Sequence, residues 1–535
     1  MRVITAAEMG TADDKSVEMG VPVATLMENA GTAVARFVEA RFAGLHSVVV
    51  LCGKGNNGGD GMVAARKLAE SDHAVRVVLL GEAKDLMGNP QAAWERAAHE
   101  VDCVEVSDED SLRDALADTS LVIDAVVGTG FKPPLRGLAM TARDVLRELA
   151  VPVVAVDLPS GWDADSTEQT NDEAFRADAV VTFATPKFAH VFGALTRDDI
   201  FSPLVVAPIG TPDGALKSDT GLHWTGAAKA IAEKPRGANG NKGKFGHVLI
   251  IGGAFGKAGA PSMASLASMR TGAGLTTCAV PKEIVPTVAA IAPELMLTPL
   301  EEGQSGLSLD NLRPEKLEAL LKGKNVLAIG PGLGTEGTTP EFVKQLLQRV
   351  ELPMVIDADA LNALAGYTDL LKQAAREKGR TIVLTPHPGE MARLIGGTVK
   401  DVESDRVGLA RKFATEHGVT LVLKGWRTLV AHPDGQIGVN TTGNPSMAKG
   451  GSGDILTGIV AAMLAQYGDV KQGGDVAQAV EAAVFLHGLA GDFACLAQDE
   501  HTVLATDTVA HLRDAFKLRV TDSNGFTWIQ GGAAR

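Results

Sequence analysis

Short apolar runs that end in glycine or polar residues, each followed by a stretch of helical length, recur along the chain. Val48–Cys52 leads into the glycine-rich stretch 53–61, and Val326–Ile329 leads into 330–334 in the same way. A strand, a tight turn and a helix form the repeating unit of doubly wound sheets, whose strands are mostly parallel. The pattern therefore predicts an α/β fold.

The chain has 535 residues, which is too long for one ordinary core. Strand-like runs stop after Leu204–Ala207, and a second series begins at His247–Ile251. The intervening stretch 211–224 has no periodicity and contains proline, glycine and serine, as linkers do. We therefore predict two domains, residues 1–215 and 224–520, the first of them a Rossmann-like doubly wound sheet.

Composition excludes several classes of partner. Aromatic residues make up only 4% of the chain, too few for base-stacking platforms, and a formal charge of −15 argues against binding to a nucleic-acid backbone. No N-terminal signal or long uninterrupted apolar run is evident, so we expect a soluble cytoplasmic protein. Cysteines without metal-binding spacing indicate a reducing compartment. They are Cys52, Cys103, Cys278 and Cys495.

Polar side chains follow successive strands of the first domain. Asn57 and Asp60 follow the first strand, Asp124 interrupts the apolar run 121–127, and Asp157 and Ser160 follow the run 153–156. Each alone is a common turn or cap residue, and the match to G-x-G-x-x-G at 53–58 is weak by itself. Since strand ends meet at one edge of a doubly wound sheet, we expect these side chains to converge on a crevice.

Four motifs in this half, LMENAG, GKGNNGGDG, DAVVGTGFKPPLRG and VDLPSGWDAD, resemble the epimerase domain of NAD(P)H-hydrate repair enzymes over about residues 5–210. The resemblance implies a potassium ion held by Asn57, Asp124 and Ser160. It also implies contacts of the hydrated dinucleotide with Asn56, Asn57, Gly58, Gly59, Asp60, Gly128, Thr129, Gly130, Phe131, Lys132, Pro133, Pro134 and Asp157.

The stretch 441–458 reads TTGNPSMAKGGSGDILTG and runs into an apolar helix. A flexible glycine loop at a helix N-terminus presents unpaired N–H groups to an anion. Asp454, in the first turn, is either a helix cap or a base that accepts a proton from a hydroxyl receiving a phosphoryl group. The stretch is not a Walker motif, because no G-x-x-x-x-G-K-[ST] pattern occurs around it and Lys449 precedes the glycines.

This G-x-G-D arrangement resembles that of ribokinase-like phosphotransferases, which implies a ribokinase-like α/β domain. GPGLG, DADALNAL, TPHPGEMARL, KGWRTLV and NPSMAKGGSGD occur in that order, as in the ADP-dependent NAD(P)H-hydrate dehydratase domain, over about residues 224–516. The resemblance implies hydrate contacts by Ala260, Gly334, His387 and Asp454. It implies adenine-nucleotide contacts by Lys424, Gly425, Trp426, Arg427, Thr428 and Gly453. Glu390 is a candidate for indirect support of Mg²⁺.

Together the two resemblances predict epimerisation of R- and S-NAD(P)HX, followed by ADP-dependent dehydration of the S form to NAD(P)H, AMP and phosphate. We expect Asp454 to deprotonate the hydroxyl while 451–453 hold the transferring phosphate. For epimerisation, Asp157 is the candidate proton carrier, with Asp124 or Lys132 nearby. Expected partners are the small molecules NAD(P)HX and ADP, with K⁺ and Mg²⁺ as cofactors; we expect a homo-oligomer that binds neither nucleic acid nor membrane.

Two other readings remain open. The motif around Asp454 also serves ATP-dependent kinases of vitamin precursors or sugars, which would leave the first domain as a non-catalytic nucleotide-binding or scaffold module. A scaffold has no need of Asn57, Asp124, Asp157 and Ser160 at successive strand ends, which favours the bifunctional enzyme.

Overall fold

The computed structural model describes residues 1–197, 201–303, 305–470 and 473–535. These residues form two compact units, of which unit 1 comprises 1–222 together with 519–535 and unit 2 comprises 223–518. Each unit contains one sheet with helices packed on it. The predicted α/β fold is confirmed.

Unit 1 contains an eight-stranded sheet in the order β18-β7-β6-β5-β4-β1-β2-β3, in which every neighbouring pair is parallel except β18 with β7. Its strands are β1 (Val48–Cys52), β2 (Val75–Leu80), β3 (Asp102–Val106), β4 (Leu121–Ala125), β5 (Val153–Val156), β6 (Ala179–Phe183), β7 (Leu204–Ala207) and β18 (Thr527–Gln530). Its helices are α1 (Ala6–Glu18), α2 (Val23–Arg41), α3 (Asn56–Ala69), α4 (Asn89–Glu100), α5 (Glu109–Ala115), α6 (Leu138–Glu148) and α7 (Phe188–Phe192).

The strands of unit 1 are apolar along their whole length because both faces of the sheet are covered. Every residue of β1, β4, β5 and β6 is buried. One core contains Phe37 and Met62 from α2 and α3, and the other contains Leu112 and Leu146 from α5 and α6. The chain order reverses where β1 lies beside β4, and a doubly wound sheet opens a crevice at the carboxyl ends of such a pair.

The last strand of unit 1 comes from the far end of the chain. β18 pairs antiparallel with β7, and Phe526 and Trp528 are buried in the same core as Phe37, whose ring lies edge-on 5.8 Å from that of Phe526. The boundaries predicted from the sequence place 519 and 520 in the second domain and leave 521–535 unassigned. A four-residue strand after a long helical region carries too little periodicity to be assigned to a sheet three hundred residues earlier.

Unit 2 contains a ten-stranded sheet in the order β11-β10-β9-β12-β13-β14-β15-β16-β17-β8. Its strands are β8 (Leu222–Trp224), β9 (His247–Ile251), β10 (Leu275–Pro281), β11 (Met296–Leu300), β12 (Val326–Ile329), β13 (Met354–Ile356), β14 (Ile382–Leu384), β15 (Thr420–Leu423), β16 (Leu429–Ala431) and β17 (Ile437–Val439). Its helices are α8 (Ala230–Glu233), α9 (Gly259–Thr271), α10 (Val285–Ala289), α11 (Pro314–Leu321), α12 (Thr339–Arg349), α13 (Ala358–Ala363), α14 (Asp369–Lys372), α15 (Pro388–Ile395), α16 (Val399–Ser404), α17 (Arg406–His417), α18 (Ser452–Tyr467), α19 (Val476–Ala497) and α20 (Ala505–Lys517).

Strands β9 to β15 pair in parallel, and β15, β16 and β17 form an antiparallel meander whose last turn lies at 433–435. The chain order reverses between β9 and β12, which places a second crevice at their carboxyl ends.

The stretch 211–224, predicted to be a linker, is more ordered than expected, because Ala215 is buried in unit 1 and residues 222–224 form β8.

Helix α19 is apolar on nearly all sides because it lies inside unit 2. It is the one helix of the described residues that is long and apolar enough to cross a membrane, although 78% of its most apolar window is buried in the protein. This burial identifies α19 as a core helix.

Candidate functional sites at the strand ends

In unit 1 the loop after β1 turns into a helix earlier than predicted. The sequence pattern predicted the helix only after the glycine-rich stretch 53–61, whereas α3 begins at Asn56, so Asn57 and Asp60 lie in its first turns. A Cβ at Gly58 would lie 2.0 Å from the carbonyl oxygen of Gly53, which explains the glycine. The N-terminus of α3 therefore points into the crevice between β1 and β4.

A cavity of about 650 Å³ opens at this crevice. Of the predicted substrate contacts, it is lined by Asn56, Asn57, Asp60, Gly128, Thr129, Gly130, Phe131 and Asp157. Gly58 and Gly59 are instead buried within α3, and Lys132, Pro133 and Pro134 are exposed and are not among the lining residues. The structure thus brings together most of the predicted set, to which α1 and α2 add Asp13 and an apolar wall.

Asp157 is held by hydrogen bonds on both of its carboxylate oxygens. Oδ1 accepts from Lys187 Nζ at 2.9 Å and Thr182 Oγ1 at 2.8 Å, and Oδ2 accepts from the amide and hydroxyl of Thr129. Burial would raise the pKa of Asp157, but Lys187, His190 and these bonds lower it well below its ordinary value. Asp157 is therefore a fixed anion and a weak base at neutral pH.

The cation beside Asp157 is Lys187, not the predicted Lys132. Lys187 is 1% exposed and also donates to Thr182 Oγ1 at 3.0 Å. Lys132, whose side chain is 58% exposed, pairs with Asp163 and Asp165 instead. The sequence contains one signal for Lys187, which is a lone lysine four residues after the last residue of the apolar strand β6.

Two further carboxyl groups face the same cavity. Burial raises the pKa of Asp13 to about 6, an effect that Lys187 opposes and Asp157 reinforces. Burial also raises the pKa of Asp60 well above its ordinary value, with Asp157 and Asp13 adding to the shift. The cavity therefore combines one ionised carboxylate with two groups that can carry a proton. Asp13, on α1, was not identified from the sequence.

Asp124 and Ser160 lie together beneath the crevice. Both are fully buried, and Asp124 accepts from Ser160 Oγ at 2.6 Å and from Ser160 N at 2.8 Å. Burial raises the pKa of Asp124 to about 6 despite these bonds. The amide nitrogen of Asn57 is buried without a hydrogen-bond partner among the described residues, and its amide oxygen faces Gly128.

In unit 2 the loops after β9 and β12 meet at the point where the chain order reverses. Gly253 N donates to Pro331 O at 2.8 Å, which joins the two loops. Ala260 lies in the first turn of α9, which follows the β9 loop. Gly334, in the β12 loop, donates through its backbone N to Asp359 Oδ2 at 2.8 Å. Two predicted hydrate contacts thus flank one crevice.

Asp454 lies in the first turn of α18, and it does not cap the helix. The cap residue is Gly451, whose φ of +99° requires glycine, and no side chain caps this end. Burial raises the pKa of Asp454 to about 7, an effect reinforced by Asp357 and opposed by Lys424. The carboxylate therefore ionises near neutral pH, as a general base should.

Lys424 and Asp357 lie directly beside this helix end. Lys424 Nζ is 3.2 Å from Asp357 Oδ1 and 3.7 Å from Glu390 Oε2, and a Cβ at Gly453 would lie 3.3 Å from Nζ. Asp357 also accepts from Thr457 Oγ1 at 2.8 Å, on α18 itself. Asp357 is the first residue of the motif DADALNAL but was not predicted to belong to the site.

His387 and Glu390 are joined at the start of α15. His387 Nδ1 accepts from the Gly389 amide at 3.0 Å, and Glu390 Oε2 accepts from the His387 amide at 2.8 Å. Burial, together with Lys424, lowers the pKa of His387, and Glu390 opposes the shift. The imidazole is half-exposed at the crevice, while Glu390 is buried next to Lys424.

The predicted nucleotide stretch 424–428 divides into two parts. Arg427 is buried, with a φ of +51°, and donates to Thr441 O at 2.8 Å, so its guanidinium supports the loop that leads to α18. Lys424, Trp426 and Thr428 remain partly exposed. Lys449 supports the same loop by donating to His501 O and Val503 O.

A larger cavity of unit 2, about 1240 Å³, does not coincide with this crevice. It is lined by Asn325, Pro353 and Thr381, which precede β12, β13 and β14, and so opens at the amino ends of the strands. The predicted chemistry lies at the opposite edge of the sheet.

Two family models match the chain, one to each unit. A model described as YjeF-related protein N-terminus matches residues 23–189, and a model described as NAD(P)H-hydrate dehydratase matches residues 248–514. A solved structure of the ADP/ATP-dependent NAD(P)H-hydrate dehydratase from Bacillus subtilis is 28% identical and covers 54% of this chain and 96% of its own, with a TM-score of 0.43.

Relatives with both parts match along their full length. The bifunctional NAD(P)H-hydrate repair enzyme of Moorella thermoacetica is 40% identical over 550 residues, covering all of both chains. The enzymes of the same name from Pyrobaculum aerophilum and Escherichia coli are 38% and 34% identical, over 96% and 95% of this chain and 97% and 92% of their own.

Proposed function

The chain belongs to the family of bifunctional NAD(P)H-hydrate repair enzymes, and we propose that the cavity beside Asp157 is its epimerase site and the crevice at Asp454 its dehydratase site. The chain joins an NAD(P)H-hydrate epimerase to an ADP-dependent dehydratase, so that both epimers of NAD(P)HX are returned to NAD(P)H. The alternative of a vitamin-precursor kinase is not favoured, because full-length relatives carry the bifunctional name.

The observation that carries the dehydratase proposal is the carboxylate of Asp454 at the N-terminus of α18. Hydroxide leaves a carbon poorly, and a phosphorylated oxygen leaves well. In the proposed step Asp454 takes the proton from the hydroxyl of the hydrate while the backbone N–H groups of 451–453 hold the transferring phosphate. Lys424 lies beside Gly453 and adds positive charge at the same place.

The crevice of unit 2 fits a magnesium ion by the chemistry of its donors. Asp357, Asp359, Glu390 and Asp454 all influence one another or Lys424 electrostatically, and carboxylate oxygens are the ligands that Mg²⁺ prefers. Bound there with the nucleotide, Mg²⁺ would offset phosphate charge. Ala260, Gly334 and His387 are proposed to contact the hydrate, and Lys424–Thr428 with Gly453 the nucleotide, Arg427 by supporting the loop.

In the epimerase site, the pKa shifts favour a different proton carrier from the one predicted from the sequence. Because the pKa of Asp157 is depressed, we propose that Asp157 stays ionised and positions the substrate together with Lys187. The proton is carried by Asp13, whose pKa of about 6 lets it exchange a proton near neutrality. Proton transfer is required whether the stereocentre inverts by ring opening or by water loss.

Asp124, Ser160 and Asn57 fit a potassium ion. A carboxylate, a hydroxyl and an amide oxygen suit a hard monovalent cation; the Asp124 and Ser160 side chains lie 2.6 Å apart, and the amide oxygen of Asn57 faces Gly128 in the loop that follows the strand of Asp124. A cation at this point would also favour the ionised form of Asp124 against the effect of burial.

The four cysteines Cys52, Cys103, Cys278 and Cys495 are all free, which supports a reducing compartment such as the cytoplasm. We propose a homo-oligomer whose partners are NAD(P)HX and ADP, without nucleic acid or membrane.

The test offers purified protein a mixture of both NADH-hydrate epimers with Mg²⁺ and K⁺, and follows the return of reduced-nicotinamide absorbance. With ADP, complete recovery is expected, because epimerisation feeds the dehydratase. Parallel reactions contain ATP or no nucleotide, and no recovery is expected without a nucleotide.

Two outcomes contradict the proposal in different ways. Recovery that stops at the share of one epimer would remove the epimerase role from unit 1. Absence of recovery with either nucleotide would remove the dehydratase role from unit 2.

A further inference from the structure

Three side chains that take no part in either proposed site meet at one edge of the sheet in unit 2. His223 lies on the edge strand β8, His432 directly follows β16, and Glu481 lies in the second turn of α19. Oxygen Oε1 of Glu481 is 2.5 Å from Nε2 of His223 and 2.8 Å from Nε2 of His432. All three candidate ligand atoms lie within 4.8 Å of one another.

We propose that His223, His432 and Glu481 form a binding site for a transition-metal dication of the zinc class. Two imidazoles and one carboxylate are a ligand set that zinc accepts, with water in the fourth position. The site differs from the K⁺ and Mg²⁺ sites of the proposed function, which consist of oxygen donors that a zinc-class ion binds less well.

The three groups are held in place before any ion arrives. Glu481 and His432 are buried, and the two imidazole rings are stacked with an interplanar angle of 15°. Both imidazoles converge on the same carboxylate oxygen, which is where a metal would draw all three donors together. A Cβ at Gly438 would lie 3.0 Å from Glu481 Oε1, so the glycine keeps the space beside this oxygen open.

Only a small displacement is needed to admit the ion. Metal bonds of about 2.0–2.1 Å in a tetrahedral site separate the ligand atoms by roughly 3.3 Å. The two N···O distances of 2.5 and 2.8 Å must therefore lengthen by less than one ångström. His223 can supply this movement and the route of entry, because its side chain is 24% exposed and lies on an edge strand.

The ion would connect three elements that are distant in sequence. The side chain next to His223, Trp224, is fully buried, donates to Thr441 Oγ1 at 2.8 Å and packs edge-on against Phe485 of α19. A metal on His223 would fasten β8 to the meander and to α19 at the first residues of unit 2. Binding to the native state alone would raise the stability of unit 2.

The experiment uses the full-length chain without a histidine tag, cleared of metal with a chelator and kept in excess K⁺ and Mg²⁺. Zinc is added and measured by calorimetry and by metal analysis after desalting, and Co²⁺ is added separately to record its visible absorption. We expect one zinc per chain, the intense visible bands of tetrahedral cobalt, and a rise of several degrees in the melting temperature of unit 2.

The variants His223→Asn and His432→Asn remove one ligand each, and His99→Asn, at an exposed position in unit 1, is the matched control. Zinc affinity should fall by about tenfold to a hundredfold or more in both ligand variants, and it should stay unchanged in the control. His223 is partly exposed, so its variant is expected to fold, as circular dichroism will verify. Absence of zinc binding by the parent chain, or equal binding by His223→Asn, would contradict the proposed metal site. The three side chains would then form only a hydrogen-bonded cluster.

Discussion

Asp157 and Asp454 occupy comparable places in the two units, each where a sheet opens its crevice, yet their surroundings differ. Asp157 accepts four hydrogen bonds and faces Lys187 at 2.9 Å, which keeps it ionised. Burial raises the pKa of Asp454 to about 7, and Asp357, Asp359 and Glu390 add to the shift while Lys424 opposes it. Two α/β units thus hold an aspartate that stays ionised in one case and an aspartate that titrates near neutral pH in the other. The neighbouring charges decide which of these two roles each carboxyl group has.

The strongest way to test this contrast is to remove the base of unit 2. Asp454→Asn should lower the rate of dehydration by roughly two to four orders of magnitude, because proton transfer to a positioned base contributes about that much. Nucleotide binding should persist, since the backbone of 451–453 is unchanged. Single-turnover kinetics and calorimetry with ADP measure the two properties.

The matched control is Asp369→Asn, which removes an exposed carboxylate from the first turn of α14. Its dehydration rate should equal that of the parent chain. Epimerisation should be unaffected in both variants, and near-full dehydration by Asp454→Asn would remove Asp454 from the role of base.

The second test removes the cation that fixes Asp157. Lys187→Met leaves a buried carboxylate without its ion pair, which should destabilise unit 1 by about 3–5 kcal/mol and abolish epimerisation. Lys132→Met breaks an exposed pair with Asp163 and Asp165, and should cost about 0–1 kcal/mol. Urea unfolding, with epimerisation as the second readout, compares the two. Equal losses would show that burial does not distinguish these lysines.

A third test uses the dependence of stability on pH. In the unfolded chain Asp454 ionises near pH 4, whereas in the native state it keeps its proton up to about pH 7. The native state therefore binds more protons between these values, and its unfolding free energy falls as pH rises through this window. Asp454→Asn lacks this loss and should be more stable than the parent by about 1–3 kcal/mol at pH 8, with a smaller difference at pH 5.

Unfolding of unit 2 in urea at the two pH values supplies the measurement. An Asn variant that is no more stable at pH 8 than at pH 5, relative to the parent, would contradict the raised pKa of Asp454. Such an outcome would make the two aspartates electrostatically alike.

The smallest effect expected is an opposite response of the two activities to pH. Dehydration needs ionised Asp454, so its kcat/KM should fall about tenfold for each pH unit below about 7. Epimerisation with Asp13 as proton donor should instead decline as pH rises above about 6. Initial rates between pH 5 and 9 give both profiles. Parallel profiles would mean that Asp13 does not supply the proton.

Local pattern was sufficient to predict most strands and the residues at their ends. The runs at β1, β5 and β12 are apolar throughout because both sheet faces are covered, so each strand is visible in the sequence as a short block. The residues following such blocks had to meet at one edge, which is why Asn57 and Asp157 do line one cavity.

What the sequence could not supply was the partner of each charged group. Lys187 and Lys132 are equally charged in a sequence, and only the packing buries one of them against Asp157. His223 and Glu481 are 258 residues apart, and they meet with His432 only through the order of strands in the sheet and the packing of α19. Long-range pairing of this kind leaves no periodic signal.

The return of β18 to unit 1 has a consequence for how the protein is made. A ribosome that adds about 5–20 residues per second delivers the roughly three hundred residues of unit 2 between β7 and β18. During that interval β7 presents an unpaired strand edge, and Phe37 lacks the rings of Phe526 and Trp528. The unit whose synthesis begins first is therefore completed last, and a translation product that stops before β18 lacks the last strand of its sheet.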